Sequence, residues 1–97
     1  MEIRWRYQDA EVVFSIEKAE IFIGRANQYL PTDVDLSPDT MVSRTHARIW
    51  SEDGKWWIED LASKFGTFVN NEQVESRREL ASGDRIRLGE SELEISF

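Results

Sequence analysis

The chain has 97 residues, which fits one domain near the lower end of the sizes at which a single hydrophobic core holds without staples. It contains no cysteine, which removes disulfide frameworks and thiolate metal cages and is compatible with a reducing compartment, the cytoplasm being the expectation. Asp and Glu number 19 against 12 Lys plus Arg, a formal charge of −7, so most of the surface repels a nucleic-acid backbone and nucleic acid is not an expected partner.

The opening MEIRWRYQDAE scatters charges among apolar residues, so neither a signal-peptide stretch nor a membrane span can be drawn, and no membrane partner is expected. Ile3 to Tyr7 is the first strand candidate. Val12, Phe14 and Ile16 then alternate with Glu11, Val13 and Ser15, a run that can bury one face, and Glu20 to Ile23 supplies a third candidate. From Ala26 to Thr45 no strand pattern is clear. This stretch holds Asn27, Pro31, Pro38 and several Asp; it is too long for a mere connector, and long ordered loops on a β scaffold usually carry function.

Ala47 to Trp50 and Trp56 to Glu59 flank Asp53-Gly54, a strong hairpin signal between apolar alternating runs. Adjacent Trp56 and Trp57 in a strand must point to opposite faces, so one of them leaves the core, and packing beneath a loop is its simplest cover. Thr67 to Val69 is followed by Asn70-Asn71, where Asn tolerates positive φ, and then by Val74. Ser82-Gly83-Asp84 marks a turn before Arg85 to Leu88, and Leu93, Ile95 and Phe97 alternate with Glu92, Glu94 and Ser96. Apolar residues nowhere recur at period 3.6 for three helical turns, so the fold class is all-β, and many short strands with close turns predict a sandwich of two twisted antiparallel sheets. Four Trp, five Phe and two Tyr can fill its core.

The cations are placed unevenly. Arg25 follows a strand directly after Gly24, Arg44 ends the long loop beside Ser43, and Lys64 precedes Gly66 by two positions. If the three loops meet at one end of the sandwich, Arg25, Ser43, Arg44 and Lys64 offer forked, point-charge and neutral donors together, with the Ser43 hydroxyl and backbone N–H both counted. That inventory suits a phosphate dianion, since charge-assisted hydrogen bonds are about twice as strong as neutral ones. Spacing alone leaves ordinary surface charge as the simpler account.

Gly24-Arg25, then Ser43-Arg44-Thr45-His46, then Ser63-Lys64-Phe65-Gly66-Thr67-Phe68-Val69-Asn70 resembles, in order, the three-part signature of forkhead-associated (FHA) domains. The likeness extends through Asp33-Val34-Asp35-Leu36 and through Leu80-Ala81-Ser82-Gly83-Asp84 into Arg85-Ile86-Arg87-Leu88-Gly89, nearly the whole chain. It implies a single domain over residues 1–97, a module of a longer protein, with about ten or eleven short strands and a ligand site in the loops at one end. It implies capture of a phosphothreonine-containing partner protein in phosphorylation-dependent signalling, with no catalysis and no cofactor. Arg25 and Ser43 would hold the phosphate, with Arg44 and Lys64 placed for further contacts and Thr45 and Phe65 beside the peptide. His46 would fix the loop that presents Ser43, and Gly24, Gly66, Thr67 and Asn70 would shape the site. Many members carry Asn where this chain has Phe65, and that amide bonds the peptide backbone. Phe cannot, so the ring either forms an apolar wall beside the peptide or turns into the core.

Three other readings compete. An enzyme would pair Ser43 with His46 and recruit Asp60 or Asp84, yet three residues apart in one loop is weak grounds for a nucleophile and its base. Asp33, Asp35, Ser37 and Asp39 alternate like the start of a calcium loop, but Pro38 stands where that loop needs Gly and Arg44 where it needs Glu, so no metal is expected and turn capping is the better account. A phospho-independent interaction or dimerisation module on the same scaffold would use exposed tryptophans, with Trp50, Trp56 and Trp57 as candidates. Finally, a cationic cluster on a domain of charge −7 attracts phosphate only at short range, so acidic flanks on a ligand should be penalised.

Overall fold

The structure is a computed structural model that describes residues 1–97. Eleven strands follow in chain order: β1 Glu2–Tyr7, β2 Ala10–Ser15, β3 Glu20–Gly24, β4 Val34–Asp35, β5 Ala47–Glu52, β6 Lys55–Asp60, β7 Thr67–Val69, β8 Glu72–Gln73, β9 Arg78–Leu80, β10 Arg85–Leu88 and β11 Ser91–Ser96. They form two sheets, one of six strands in the order β2-β1-β11-β10-β7-β8 and one of five in the order β4-β3-β5-β6-β9. No helix is long and apolar enough to cross a membrane.

Period-two alternation places the core. Ile3 and Trp5 of β1, Ile86 and Leu88 of β10, and Leu93 and Ile95 of β11 turn inward from the six-stranded sheet. Ile21 and Ile23 of β3, Ile49 of β5 and Ile58 of β6 meet them from the other sheet. Each such side chain contributes about 1.5–3 kcal/mol by leaving water. All pairings are antiparallel except one: β4 lies parallel to β3, with Ile23 opposite Val34, so the five-stranded sheet is mixed where an antiparallel sheet was expected. The cause is the long connection that precedes β4, which carries the chain back to the start of the next strand in the same direction.

The stretch from Ala26 to Thr45 is a built element. Val34, Leu36 and Val42 are buried in the main core. Asp39 is also buried; its carboxylate accepts from Met41 N–H, Glu90 N–H and the Ser91 hydroxyl, which itself accepts from Trp5 Nε1–H. This stitches the long loop to the β10–β11 turn. Gly89 makes the approach possible: its φ is +57°, and a Cβ there would stand 2.9 Å from the Met41 backbone.

Trp56 is the tryptophan that stays with the core, tilted against Phe97 with ring centroids 6.1 Å apart. Trp57 leaves it and lies opposite Trp50 on the outer face of the five-stranded sheet. The cover over Trp57 comes from the β8–β9 loop through Arg77, and that over Trp50 from Arg48 of its own strand. The Arg48 guanidinium lies 4.2 Å from the Trp50 ring centroid and that of Arg77 4.4 Å from the Trp57 ring centroid. Arg48 is in turn paired with Glu20 and Glu59, and Arg77 with Glu52, so this aromatic face is sealed by its own charges.

Candidate phosphate-binding site

Three chain segments meet at the end of β3: Gly24-Arg25 itself, the loop from Leu36 to His46, and the β6–β7 loop from Leu61 to Gly66. Gly24 lets the first two touch. A Cβ on Gly24 would stand 2.1 Å from the Arg44 carbonyl oxygen, so any side chain there would expel residues 43–44. With that approach open, Arg25 N–H donates to the Arg44 carbonyl at 3.2 Å.

Arg25 is half-buried, and its Nε donates to the Val42 carbonyl at 2.7 Å. That one bond aims the guanidinium and leaves both terminal NH2 groups without a protein acceptor, the fork that binds phosphate oxygens in pairs. The Ser43 hydroxyl oxygen accepts from Lys64 N–H at 3.0 Å, so its own hydrogen is free to point outward. The Ser43 backbone N–H is committed: it donates to His46 Nδ1 at 3.0 Å. The donor inventory at Ser43 is therefore the hydroxyl alone, which corrects the expectation that both groups serve a ligand.

His46 is fully buried. An N–H can only donate, so Nδ1 facing Ser43 must accept; a carbonyl can only accept, so Nε2, 2.8 Å from the Gly66 oxygen, must carry the proton. The ring is thus the neutral Nε2–H tautomer, clamping the Ser43 loop to the β6–β7 loop. Burial holds its pKa below the ordinary 6.5, against the opposing pull of the Gly66 carbonyl and of Asp60 and Asp39.

Beneath the β6–β7 loop lies Asp60. Its carboxylate accepts from Ser63 N–H, from the Ser63 hydroxyl and, at 2.7 Å, from the Thr67 hydroxyl, while Ser63 Oγ accepts from Gly66 N–H at 2.9 Å. Burial pushes the Asp60 carboxyl up, but these hydrogen bonds outweigh it and the pKa lies below the usual 3.8. On the other side Asn27 accepts from Tyr29 and Leu30 N–H and donates to the Arg25 carbonyl, and Asp35 accepts from Ala26 N–H. Sequence reasoning passed over Asp60, Ser63, Asn27 and Asp35 as parts of the site. The signal for the first two is an Asp at a strand end with Ser three positions on, the composition of a side-chain-capped turn.

The remaining expected residues divide. Arg44 is exposed and lines a surface cleft of about 390 Å³ with Ala26, Asn27, Gln28 and Tyr29. Lys64 is exposed, its Nζ 5.3 Å from the centroid of the Phe65 ring, and Phe65 turns outward, 45% exposed, rather than into the core. Thr45 is half-buried beside His46. Asn70 acts elsewhere. Its φ is +49°, and it bonds Asp84 and Arg85 N–H, fixing the far end of β7 against the turn before β10 and not the loop beside Ser43. Asp33, Asp35 and Asp39 spend oxygens on N–H and hydroxyl donors, the turn-capping role.

The electrostatics separate this end from the rest of the surface. Of the twelve Lys and Arg residues, only Arg25, Arg44, Lys64 and Arg87 have no carboxylate within 4.0 Å. Three of those four stand around Ser43. The most voluminous surface cleft, about 580 Å³ between Trp5, Tyr7, Val12 and Pro38, is lined by no cation.

Residues 21–89 match the family model described as FHA domain. The chain is 38% identical over 90 residues to the protein FraH of Nostoc, covering 88% of this chain and 31% of that protein. It is 38% identical over 68 residues to the glycogen accumulation regulator GarA of Mycolicibacterium smegmatis, covering 70% and 42%. The chain thus spans less than half the length of either relative. Among solved structures, one described as a structural and functional analysis of phosphothreonine-dependent FHA domain interactions superposes with TM-score 0.80 at 33% identity, over 100% of this chain and 97% of that one. The FhaA FHA domain complexed with the intracellular domain of Rv3910 superposes with TM-score 0.77 at 34% identity, over 95% and 97%.

Proposed function

We propose, for a chain that belongs to the forkhead-associated family, a phosphothreonine-peptide-binding role: it captures phosphorylated partner proteins and so mediates phosphorylation-dependent interaction in signalling. The observation that carries the reading is the set of cations left without a carboxylate. On a surface where 19 acidic residues neutralise most basic ones, Arg25, Arg44 and Lys64 stay unpaired around one free hydroxyl, that of Ser43. In this reading the Arg25 fork and the Ser43 hydroxyl bind the phosphate, Lys64 and Arg44 add charge at its rim, and Thr45 and Phe65 flank the peptide. Phe65 supplies an apolar wall instead of an amide, so peptide-backbone bonds count for less here and the phosphate for more.

The site does no chemistry on what it holds. The His46 nitrogens are both engaged, one with the Ser43 N–H and one with Gly66, and neither faces the Ser43 hydroxyl as a base would have to. The domain, residues 1–97, serves as one module of a longer cytoplasmic protein; FraH and GarA, both longer than the matched stretch, support the longer chain.

Calorimetric titration with degenerate phosphothreonine, phosphoserine and unphosphorylated peptides tests the proposal against wild type and Arg25→Ala. Binding confined to phosphothreonine and abolished in Arg25→Ala is expected. Equal binding of unphosphorylated peptide, or undiminished binding by Arg25→Ala, overturns it.

A further inference from the structure

The fourth unpaired cation, Arg87, lies outside the phosphate site, on the outer face of the six-stranded sheet. It sits on β10 directly opposite Phe68 of β7, and its guanidinium rests 4.3 Å from the Phe68 ring centroid. Glu92 of β11 stands opposite it on the other side, but Arg87 makes no ion pair with that carboxylate, which lies 4.0 Å from Arg85 instead. Arg48 and Arg77 stack on tryptophans in the same way, yet each is also closed by a carboxylate. Arg87 alone of these three is stacked and open. A guanidinium lying on a ring keeps its edge N–H groups in the plane and turned outward, so the stack pre-orients a fork for a planar anion.

The position continues from the proposed site. An ideal Cβ on Gly66 would lie 3.4 Å from the Phe68 ring and 3.1 Å from Gln73 Nε2, so the β6–β7 loop is flanked by the Ser43 and Arg25 pocket on one side and by Phe68 with Arg87 on the other. Phe68 therefore joins Gly66, at the end of the loop that borders the pocket, to Arg87, its partner across the strands.

Building on the phosphothreonine reading, we propose that Arg87, held by Phe68, is a specificity-determining residue that binds a carboxylate side chain of the same ligand. The rest of the surface explains why this selects. Outside Arg25, Arg44 and Lys64, which the phosphate itself engages, an acidic residue of the ligand meets carboxylates or cations already paired, and is penalised or ignored; at Arg87 it meets an open fork. The general expectation against acidic flanks therefore has one positional exception.

The test uses labelled phosphothreonine peptides with neutral flanks, into which a single Glu is stepped position by position, titrated by fluorescence anisotropy against wild type, Arg87→Gln and the ion-paired control Arg85→Gln. The expected result is a gain of about twofold to fivefold at one or two adjacent positions only. That gain is lost in Arg87→Gln, kept in Arg85→Gln, and accompanied by unchanged binding of the Glu-free peptide in all three proteins. Phe68→Leu should shrink the gain without removing it. If no position gains, or if the gain survives Arg87→Gln, the inference falls while the phosphothreonine reading stands. If wild type binds none of the phosphopeptides, both fall together.

Discussion

His46 shows how one side chain can couple a site to its scaffold. With Nδ1 accepting from Ser43 and Nε2 donating to Gly66, only the neutral ring fits; a proton on Nδ1 would set donor against donor. The folded pKa lies below 6.5, so the unfolded chain takes the proton first, and unfolding is favoured as acid is added. The contribution of His46 is therefore complete above about 6.5 and is lost as pH falls through the lower folded value. The carboxyls of Asp33, Asp35 and Asp60 also sit below their ordinary 3.8, so their contribution is present above that value and drains only in stronger acid. Denaturant midpoints of the ligand-free protein should fall in two stages on acidification, with the first stage missing in His46→Ala. That variant should also lose about 2–4 kcal/mol at neutral pH through two stranded polar groups and a cavity. A wild-type midpoint that stays flat until the carboxylates titrate would remove His46 from this role. Gly24 makes a second residue-scale case: Gly24→Ala drives a Cβ into the Arg44 carbonyl, and should cost about 1–3 kcal/mol and abolish phosphopeptide binding, as melting and titration of the same sample would report. Both residues were legible in the sequence as members of a motif. What was not legible is that the Ser43 N–H is consumed by the ring and that Gly24 is demanded by a carbonyl rather than by its own φ, because the ring's tautomer is set by Gly66, 20 positions beyond His46, and the carbonyl belongs to Arg44, on a separate segment from Gly24.

At the scale of elements, the β6–β7 loop is held by a partly buried carboxylate at the end of β6. Asp60 takes three donors from Ser63 and Thr67, and Ser63 passes the restraint on to Gly66. Asp60→Asn keeps the shape but removes the charge and turns one acceptor into a donor. It should cost about 1–3 kcal/mol, speed hydrogen exchange at Gly66 N–H and weaken phosphopeptide binding. Unchanged exchange at Gly66 would mean that the loop holds its form without Asp60. The strands with apolar content were legible, β2 and β11 from alternation and β1, β3, β5, β6, β7 and β10 from runs of branched and aromatic residues. The strands β4, β8 and β9 were not, since Val34-Asp35, Glu72-Gln73 and Arg78-Glu79-Leu80 each hold at most one apolar residue. Alternation also overstated burial at the edges: Val12 of β2 is 42% exposed and Phe97 52%, because β2 ends its sheet with no neighbour beyond it and Phe97 follows the last paired residue.

For the whole molecule the question is which charge an approaching ligand feels. The net charge of −7 and the twelve cations could be counted in the sequence, but which cations remain unpaired follows only from strand register, which sets Arg48 beside Glu20 and Glu59 and leaves Arg25 at a strand end facing a backbone carbonyl. The molecule measures 33 × 26 × 26 Å. At about 0.15 M salt the screening length of about 8 Å lets a phosphopeptide near the pocket sense little beyond the local cations; at about 0.01 M the length is about 30 Å and the whole acidic surface contributes. Proteins steered to anions by a positive field associate faster as salt is lowered. Here the far field has the opposite sign, so a neutral-flanked phosphothreonine peptide should associate more slowly at about 0.01 M than at about 0.15 M, while its dissociation also slows because the pocket's own attraction is less screened. Stopped-flow association and dissociation rates at the two salt concentrations separate these effects. Faster association at low salt would show that the unpaired cations dominate the field well beyond the pocket, and the acidic remainder of the surface would then have no part in choosing ligands.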